Sequence, residues 1–392
     1  MNPALWVLAL SAAHVLYTYA GYPAVLWVLT RIRSRPIPAP SDDTAWPEVS
    51  ISIPAYNEED QIGDLVKSLL ALDYPREKLQ ILVVSDGSTD RTDEIVRGYA
   101  DDGVELLRVE PRGGKTKAEH AASQHLTGEI IVNTDASIRI EPDALRHLIA
   151  VFDDPEIGCA SGRDVSVGSE ERAANAGESG YVGYEMAVRD LETSLSGIVG
   201  ASGCFYAIRE HLHRLPLPEG LSRDFASALH TKEHGYRPVS VRDAVCLVPR
   251  APSLKKEYRR KVRTITRGMQ TLWYKRHLLN PFKYGVFGWM LYSHKVCRWL
   301  LPWAAIAGAV AMAVLAFESP IALLLTGGGL LVALLAWIGW LKADETSVSK
   351  VFSVPAFLVA GNLAAAHALL RAVAGANDAL WEPTRREVVK SP

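Results

Sequence analysis

The chain of 392 residues has few cysteines: Cys159, Cys204, Cys246 and Cys297, with no Cys-x-x-Cys. Neither a disulfide framework nor a thiolate metal site follows from that spacing, and the four read as thiols of a reducing compartment. No Gly-x-Gly-x-x-Gly and no Gly-x-x-x-x-Gly-Lys-Ser/Thr occurs where a nucleotide-binding turn would need it. Dinucleotide and phosphate-loop enzymes are thereby disfavoured. Excess charge of one sign is also lacking: 42 Lys and Arg face 44 Asp and Glu, a net charge of −2. That removes the usual signal for nucleic acid as a partner. Charge is missing locally as well. Met1 to Thr30, Trp299 to Phe317, Ser319 to Leu341 and Val351 to Leu370 contain no Asp, Glu, Lys or Arg. Such runs argue against a wholly soluble or disordered chain. The charged middle argues against a chain made only of membrane spans.

Leu5 to Leu29 is long enough to cross about 30 Å of hydrocarbon. Its start, Met-Asn-Pro, has no basic residue, while Arg31, Arg33 and Arg35 follow it. That order predicts a retained anchor with its C-terminal side in the cytosol, not a cleaved signal peptide. Lys295 and Arg298 precede an apolar run from Leu300, Glu318-Ser319-Pro320 makes a turn, and a second run ends at Leu341. This predicts a hairpin of two spans. Val351 to Leu370 is Ala-rich and interrupted by Pro355, Asn362 and His367. It leaves two readings open, a further crossing or a re-entrant or interfacial helix, and the basic tail favours the second. The expected organisation is an anchor (1–31), a soluble domain (45–252), an amphipathic interfacial segment (253–294), a C-terminal membrane region (295–376) and a cytosolic tail (377–392).

In the middle, Val49 to Pro54, Leu79 to Ser85, Val104 to Val109 and Glu129 to Asn133 read as strands. Asn57 is expected to cap a helix with Ile62, Leu65, Val66, Leu69 and Leu70 on its inner face. Arg91 to Tyr99 and Lys115 to Leu126 read as helices. Strands alternating with helices predict a doubly wound, mostly parallel sheet, whose ligands bind at the carboxyl ends of the strands. Tyr56-Asn57-Glu58, Asp86-Gly87-Ser88 and Thr134-Asp135-Ala136-Ser137 fall at such ends. Their convergence suggests a nucleotide site. Arg112-Gly113-Gly114-Lys115 offers two glycines and a cation before a helix, a cradle for a diphosphate or a plain surface turn.

Several segments occur in one order: Ile53-Pro54-Ala55-Tyr56-Asn57-Glu58-Glu59, Val84 to Asp90, Gly113-Gly114-Lys115, and Asn133 to Ser137. Gly200-Ala201-Ser202-Gly203-Cys204-Phe205-Tyr206, Arg223-Asp224-Phe225, Arg260 to Gly268 and Trp381-Glu382-Pro383-Thr384-Arg385 complete the series. In these the chain resembles the membrane-integrated family 2 glycosyltransferases, the branch of cellulose, chitin, hyaluronan and poly-N-acetylglucosamine synthases. The resemblance implies a Rossmann-like α/β GT-A fold and a nucleotide-diphosphate sugar donor, usually a UDP-sugar. Ala55, Tyr56, Asn57, Glu58 and Asp86 would meet the nucleoside, and Gly114 and Lys115 the diphosphate. Asp135 is the first acid of the Asp-x-Asp motif for Mg2+ or Mn2+, and Ala136 and Ser137 complete it, with Ser137 in place of the second acid. Asp224 stands at the catalytic base, preceded by Arg223 where the family has an acid. Gly203, Cys204 and Phe205 would face the acceptor. Arg263 and Arg267 would help neutralise the diphosphate. The Gln-x-x-Arg-Trp motif keeps only Arg267, with Gly268 at the aromatic position, which points away from long-chain processivity. Trp381 would lie near the acceptor or anchor the tail at the interface.

Leu254, Tyr258, Val262, Ile265, Met269, Leu272 and Trp273 recur at helical steps among basic residues. This predicts an amphipathic helix with most of its cations against an anionic leaflet. The expected protein is a multi-pass inner-membrane, inverting hexosyltransferase with a cytosolic catalytic domain, acting on a polysaccharide or lipid-linked saccharide. Its expected partners are the donor, the acceptor, membrane lipids and subunits of an export or synthase complex. The runner-up is a catalytically degenerate, nucleotide- or glycan-binding component of an exopolysaccharide export complex, motivated by Ser137, Arg223 and Gly268.

Overall fold

The computed structural model describes residues 2–41, 44–167, 174–249, 253–343 and 348–376, with the backbone alone for 174–181. A long apolar helix, α1 (Pro3–Ile32), leads into an eight-stranded sheet. The first half alternates as expected: β1 (Val49–Ala55), α2 (Ile62–Leu70), β2 (Leu79–Ser85), α3 (Thr92–Arg97), β3 (Val104–Arg108), α4 (Lys115–Ala122) and β4 (Ile130–Thr134). The second half contains β5 (Arg139–Ile140), α5 (Ala144–Ala150), β6 (Ile157–Val167), α6 (Ala174–Leu195), β7 (Phe205–Arg209), α7 (Arg223–Glu233) and β8 (Arg237–Pro249). The sheet order is β3-β2-β1-β4-β7-β6-β8-β5. Pairs among β1 to β4 are parallel, as is β6 with β8, but β7 runs antiparallel to both β4 and β6, and β5 to β8. The sheet is thus mixed, with parallel strands dominant.

β1 is buried along its whole length, and β2 over six of seven positions, because helices cover both faces. Ile51, Ile53, Leu65, Ile81, Val83 and Ile130 belong to one core under α2. Leu82, Val84, Ala118, Ile131, Tyr206 and Ile208 form the core on the other face under α4. A third cluster joins Tyr22, Leu26, Phe225, Leu229, Leu272, Phe287 and Met290, and this ties the sheet domain to its apolar helices. Gly128 turns the chain into β4 where a Cβ would stand 2.5 Å from the backbone nitrogen of Ser50. Only glycine permits that approach.

Beyond the sheet come α8 (Leu254–Tyr274), α9 (Val286–Leu315), α10 (Pro320–Leu341) and α11 (Lys350–Val373). Together with α1, the last three are long and apolar enough to cross a membrane. The first helix of the expected hairpin starts at Val286, earlier than the basic residues at 295 and 298, which lie inside it. α11 is one helix of 24 residues, about 36 Å long, through Pro355.

α8, the expected amphipathic interfacial helix, also packs against protein. Its apolar and polar side chains meet α11: Lys261 Nζ lies 4.0 Å from the Phe357 ring centroid, Tyr258 Oη is 3.1 Å from His367 Nδ1, and Thr266 Oγ1 donates to the Ala368 carbonyl. Its cations are divided among protein partners. Arg260 pairs with Glu257, Lys275 with Glu233, and Arg260, Arg263 and Arg267 turn toward the sheet. Trp273 and Tyr274 at its end stay exposed.

Candidate active site

A cleft of about 240 Å3 opens at the carboxyl ends of β1 and β4, between the sheet, the start of α7 and one face of α8. Its lining includes Glu58, Lys115, Asp135, Ala136, Ser137, Gly203, Cys204, Asp224, Arg263 and Arg267. Lys115 of the expected diphosphate pair therefore shares one cavity with the expected metal, base and arginine residues, while Gly114 lies off its lining. Asp135 follows β4, Lys115 opens α4, and Asp224 lies in the first turn of α7.

Lys115 Nζ donates to Asp135 Oδ1 at 2.6 Å and lies 3.9 Å from Glu119 Oε1. Burial alone would lower the Lys115 ammonium, but Asp135 and Glu119 outweigh it and hold the group above its usual value. Glu119 is buried behind Lys115, and burial raises its carboxyl against the pull of Lys115 and Arg223. Arg223 Nε lies 3.5 Å from Glu119 Oε2, and Arg223 Nη1 donates to the His213 carbonyl. The residue that replaces the family's acid thus serves as a counter-ion inside the protein.

Asp224 accepts from Ser222 Oγ at 2.5 Å, which fixes one carboxylate oxygen. The other, Oδ2, lies 2.9 Å from the position a Cβ would take at Gly203. A side chain there would displace the carboxylate. On the other side of that loop, Ser202 Oγ donates to Asp164 Oδ2 at 2.5 Å, and Asp164 also lines the cleft. Arg267 donates to the carbonyls of Gly220 and Leu221 and to Thr116 Oγ1, strapping the approach to Asp224 onto α4. Arg263 reaches the same cavity one turn earlier on α8.

The expected nucleoside residues lie beside this cleft, not on its lining, except for Glu58. Asp86 is 1% exposed, and its two oxygens accept from the backbone N–H of Gly113 at 2.8 Å and Gly114 at 2.7 Å. Arg112 stacks on Tyr56, with its guanidinium carbon 3.6 Å from the ring centroid. Ala55 is buried at the end of β1, and its carbonyl accepts from the Asp86 N–H. Asn57 does not cap a helix. It adopts φ 52°, and its side chain accepts from the Thr89 N–H while Glu58 N–H donates to Thr92 Oγ1. α2 starts only at Ile62. The Asn57–Glu59 stretch is a clamp between two strand-end loops, which local sequence could not separate from a cap.

Phe205 departs from the expectation: its ring is 0% exposed and faces the sheet core, because β7 alternates and Cys204 and Tyr206 take the cleft side. Trp381 lies outside the described residues. Sequence reasoning missed Glu119 and Asp164. Glu119 follows Lys115 by one helical turn, a spacing that could have flagged it. Asp164 had no local signal, since β6 reaches the site only through the order of strands.

The chemistry of Asp135 and Ser137 suits a divalent ion held with phosphate oxygens. Mg2+ commonly uses one or two carboxylates plus substrate phosphates. Among the described residues no group of three or more His, Cys, Asp or Glu is arranged to hold a metal by itself.

Residues 50–213 match the family described as Glycosyl transferase family 2. It is 30% identical over 156 residues to the beta-monoglucosyldiacylglycerol synthase of Nostoc sp. (strain PCC 7120), covering 39% of this chain and 33% of that protein. It is 33% identical over 129 residues to an N-acetylglucosaminyltransferase of Mesorhizobium japonicum, covering 32% and 30%. To the undecaprenyl-phosphate 4-deoxy-4-formamido-L-arabinose transferase of Edwardsiella ictaluri it is 31% identical over 109 residues, covering 27% and 34%. The matches span about a third of the length of these relatives. Among solved structures, the mannosyltransferase PcManGT from Pyrobaculum calidifontis, in complex with GDP-Man and Mn2+, superposes with a TM-score of 0.71. That likeness covers 95% of this chain and all of the other at 23% identity. The GT-A fold is thereby shared, and in this chain four apolar helices flank it.

Proposed function

We propose that the protein is a membrane-bound inverting glycosyltransferase. It moves a sugar from a nucleotide-diphosphate donor to a hydroxyl or phosphate oxygen of a lipid-linked or glycan acceptor. One observation carries this reading: Lys115, Asp135 and Asp224 line a single cleft.

In this reading the donor diphosphate lies against Lys115 and the N-terminus of α4, where the ammonium and the helix dipole favour negative charge. Asp135 and Ser137 would hold Mg2+ or Mn2+ with the phosphates, and the ion supplies charge stabilisation to the departing diphosphate. Asp224, oriented by Ser222, takes the proton of an acceptor hydroxyl. The acceptor oxygen bonds to the anomeric carbon as the bond from that carbon to the diphosphate oxygen breaks. Nucleoside diphosphate leaves, and the configuration inverts. Arg263 offers a further cation to the developing charge, while Arg267 holds the loop that precedes the base. For the nucleoside, Tyr56, Asn57 and Asp86 would border the cleft beside Arg112 to Gly114.

Two features favour addition of single sugars over long-chain synthesis. Gly268 stands where the polymerising synthases have their tryptophan, and the described apolar helices are few for a secretion channel. The names of the relatives favour lipid or glycan acceptors, and the solved relative was captured with GDP-Man and Mn2+. GDP-sugars therefore stand beside UDP-sugars as candidate donors. The apolar helices favour residence in the inner or plasma membrane, with the sheet domain in the cytosol.

The test is a donor screen on the purified full chain. Release of UDP or GDP from a panel of nucleotide sugars is followed with Mn2+, Mg2+ or EDTA, and products are identified by mass. Ion-dependent release from at least one donor, abolished in Asp224→Asn, is expected. Nucleotide binding with no turnover on any donor would instead favour the export-complex reading.

A further inference from the structure

The cleft holds a buried carboxylate that no step of the proposed reaction uses. Glu119 follows Lys115 by one turn of α4, is 2% exposed, and stands between two cations. Lys115 Nζ is 3.9 Å from its Oε1, and Arg223 Nε is 3.5 Å from its Oε2. Neither contact is a hydrogen bond. Glu119 Oε2 and Arg223 Nε are both buried, and neither has a hydrogen-bond partner among the described residues. A buried ionised carboxylate ordinarily closes onto a donor. This one is shared loosely, because the Lys115 ammonium is drawn the other way, to Asp135 Oδ1 at 2.6 Å.

The two cations belong to the two ends of the proposed reaction. Lys115 opens α4 at the diphosphate seat, and Arg223 immediately precedes Asp224 in the first turn of α7. Arg223 is 8% exposed, and its hydrogen bond from Nη1 to the His213 carbonyl is long, at 3.4 Å. On the other side of α4, Arg267 joins Thr116 Oγ1 to the carbonyls of Gly220 and Leu221, just ahead of the base. The first turns of α4 and α7 are thus linked twice, once by hydrogen bonds and once by a slack ion pair. A donor diphosphate at the start of α4 offers Lys115 a second anion. A buried carboxylate that loses one of two counter-ions gains most by closing on the other, since an uncompensated charge there is costly. For Glu119 the remaining cation is Arg223.

We propose that Glu119 and Arg223 are positioning residues that make the base answer to the donor. A diphosphate draws Lys115 away from Glu119, Glu119 closes on Arg223 as a hydrogen-bonded pair, and the first turn of α7 stiffens with Asp224 held for the acceptor. An acid at position 223 would repel Glu119, so the arginine there is what completes the link. The inference rests on the reading of the cleft as a transfer centre, with Lys115 at the diphosphate and Asp224 as base.

The test follows amide hydrogen exchange in the full chain, in nanodiscs, as GDP or UDP is added with Mn2+. In the wild type, nucleotide is expected to slow exchange at the start of α4 and across Arg223 to His230, each by at least about threefold. Glu119→Gln keeps the slowing at α4 and loses it at α7, with nucleotide affinity within about threefold of wild type. Arg223→Gln does the same, and Arg223→Lys, which keeps a cation for Glu119, restores most of it. The double Gln variant leaves no unpaired charge at the pair and gives the same readout if a single variant does not fold. With a nucleotide sugar that turns over, these Gln variants lower kcat about tenfold while the donor KM stays within about threefold, and the double variant loses no more than either single one. A merely structural ion pair predicts a lower melting temperature with the response of α7 intact. Wild-type slowing at α7 in Glu119→Gln would therefore overturn the proposal, as would losses that add in the double variant. Failure of the wild type to bind either nucleotide would sink the transferase reading and this proposal with it, whereas binding with an unresponsive α7 overturns the proposal alone.

Discussion

The two walls of the cleft are built by opposite means. On the side proposed for the donor, strand-end loops 27 to 34 residues apart in sequence are sewn together beside the cleft by hydrogen bonds: Asn57 to Thr89, Glu58 to Thr92, and Asp86 to Gly113 and Gly114. On the acceptor wall, spacing comes from what is absent. Gly203 leaves room for Asp224, Gly268 for Trp299, and Gly200 for Phe225. In the proposed reading, the side held by bonds would keep the donor's seat constant, and the side shaped by gaps would set the acceptor.

That contrast can be broken most forcefully at the base. Asp224→Asn is expected to lower transfer by about 10²–10⁴-fold while nucleotide affinity stays unchanged, read by product formation and by titration. Next comes the donor wall itself. Lys115→Met or Asp135→Asn is expected to lower turnover by about 10²-fold and, unlike the base variant, to weaken nucleotide binding. Gly203→Ala sharpens the comparison. Its Cβ meets the Asp224 carboxylate at 2.9 Å, so turnover drops about tenfold with nucleotide affinity intact. A drop in nucleotide affinity there would dissolve the distinction between the walls. Gly128→Ala tests the sheet under both walls, and overpacking against Ser50 is expected to cost about 1–3 kcal/mol in a melting experiment.

The smallest effect lies at the foot of α8. Burial raises the Glu233 carboxyl, but the bond to Lys275 and the charges of Lys275 and His277 outweigh it and lower the group below the usual glutamate value. A lowered carboxyl contributes stability above its unfolded value of about 4.3 and loses it as pH falls through the folded value. Glu233→Gln is expected to flatten that acid limb of the melting curve and to leave the neutral range nearly unchanged.

Much of the donor wall was legible because its chemistry is local. Lys115, Asp135 and Ser137 stand at ends of elements that period and turn residues mark, and all three reach the cleft. Asp224 was singled out by the ordered motifs, and it lines the cleft. Phe205 was misplaced because strand alternation decides which neighbour faces the cavity, and the antiparallel insertion of β7 was not readable from composition. Asn57 was misread because Asx side chains cap helices and bridge loops with the same atoms. Of the cations of α8 expected at lipid, Arg260 and Lys261 instead meet the cleft and Phe357 of α11, partners that a helical wheel does not reveal. Glu119 pairing with Arg223, and Trp299 filling the space at Gly268, join residues distant in sequence and depend on tertiary packing.

The contact between Lys115 and Asp135 has a consequence for the order of events. A resting cleft that neutralises its own carboxylate is poor bait for a bare divalent ion, which must first evict an ammonium from a low-dielectric seat. In the proposed reaction the donor diphosphate gives that ammonium a new partner, so ion and donor would assist each other's entry.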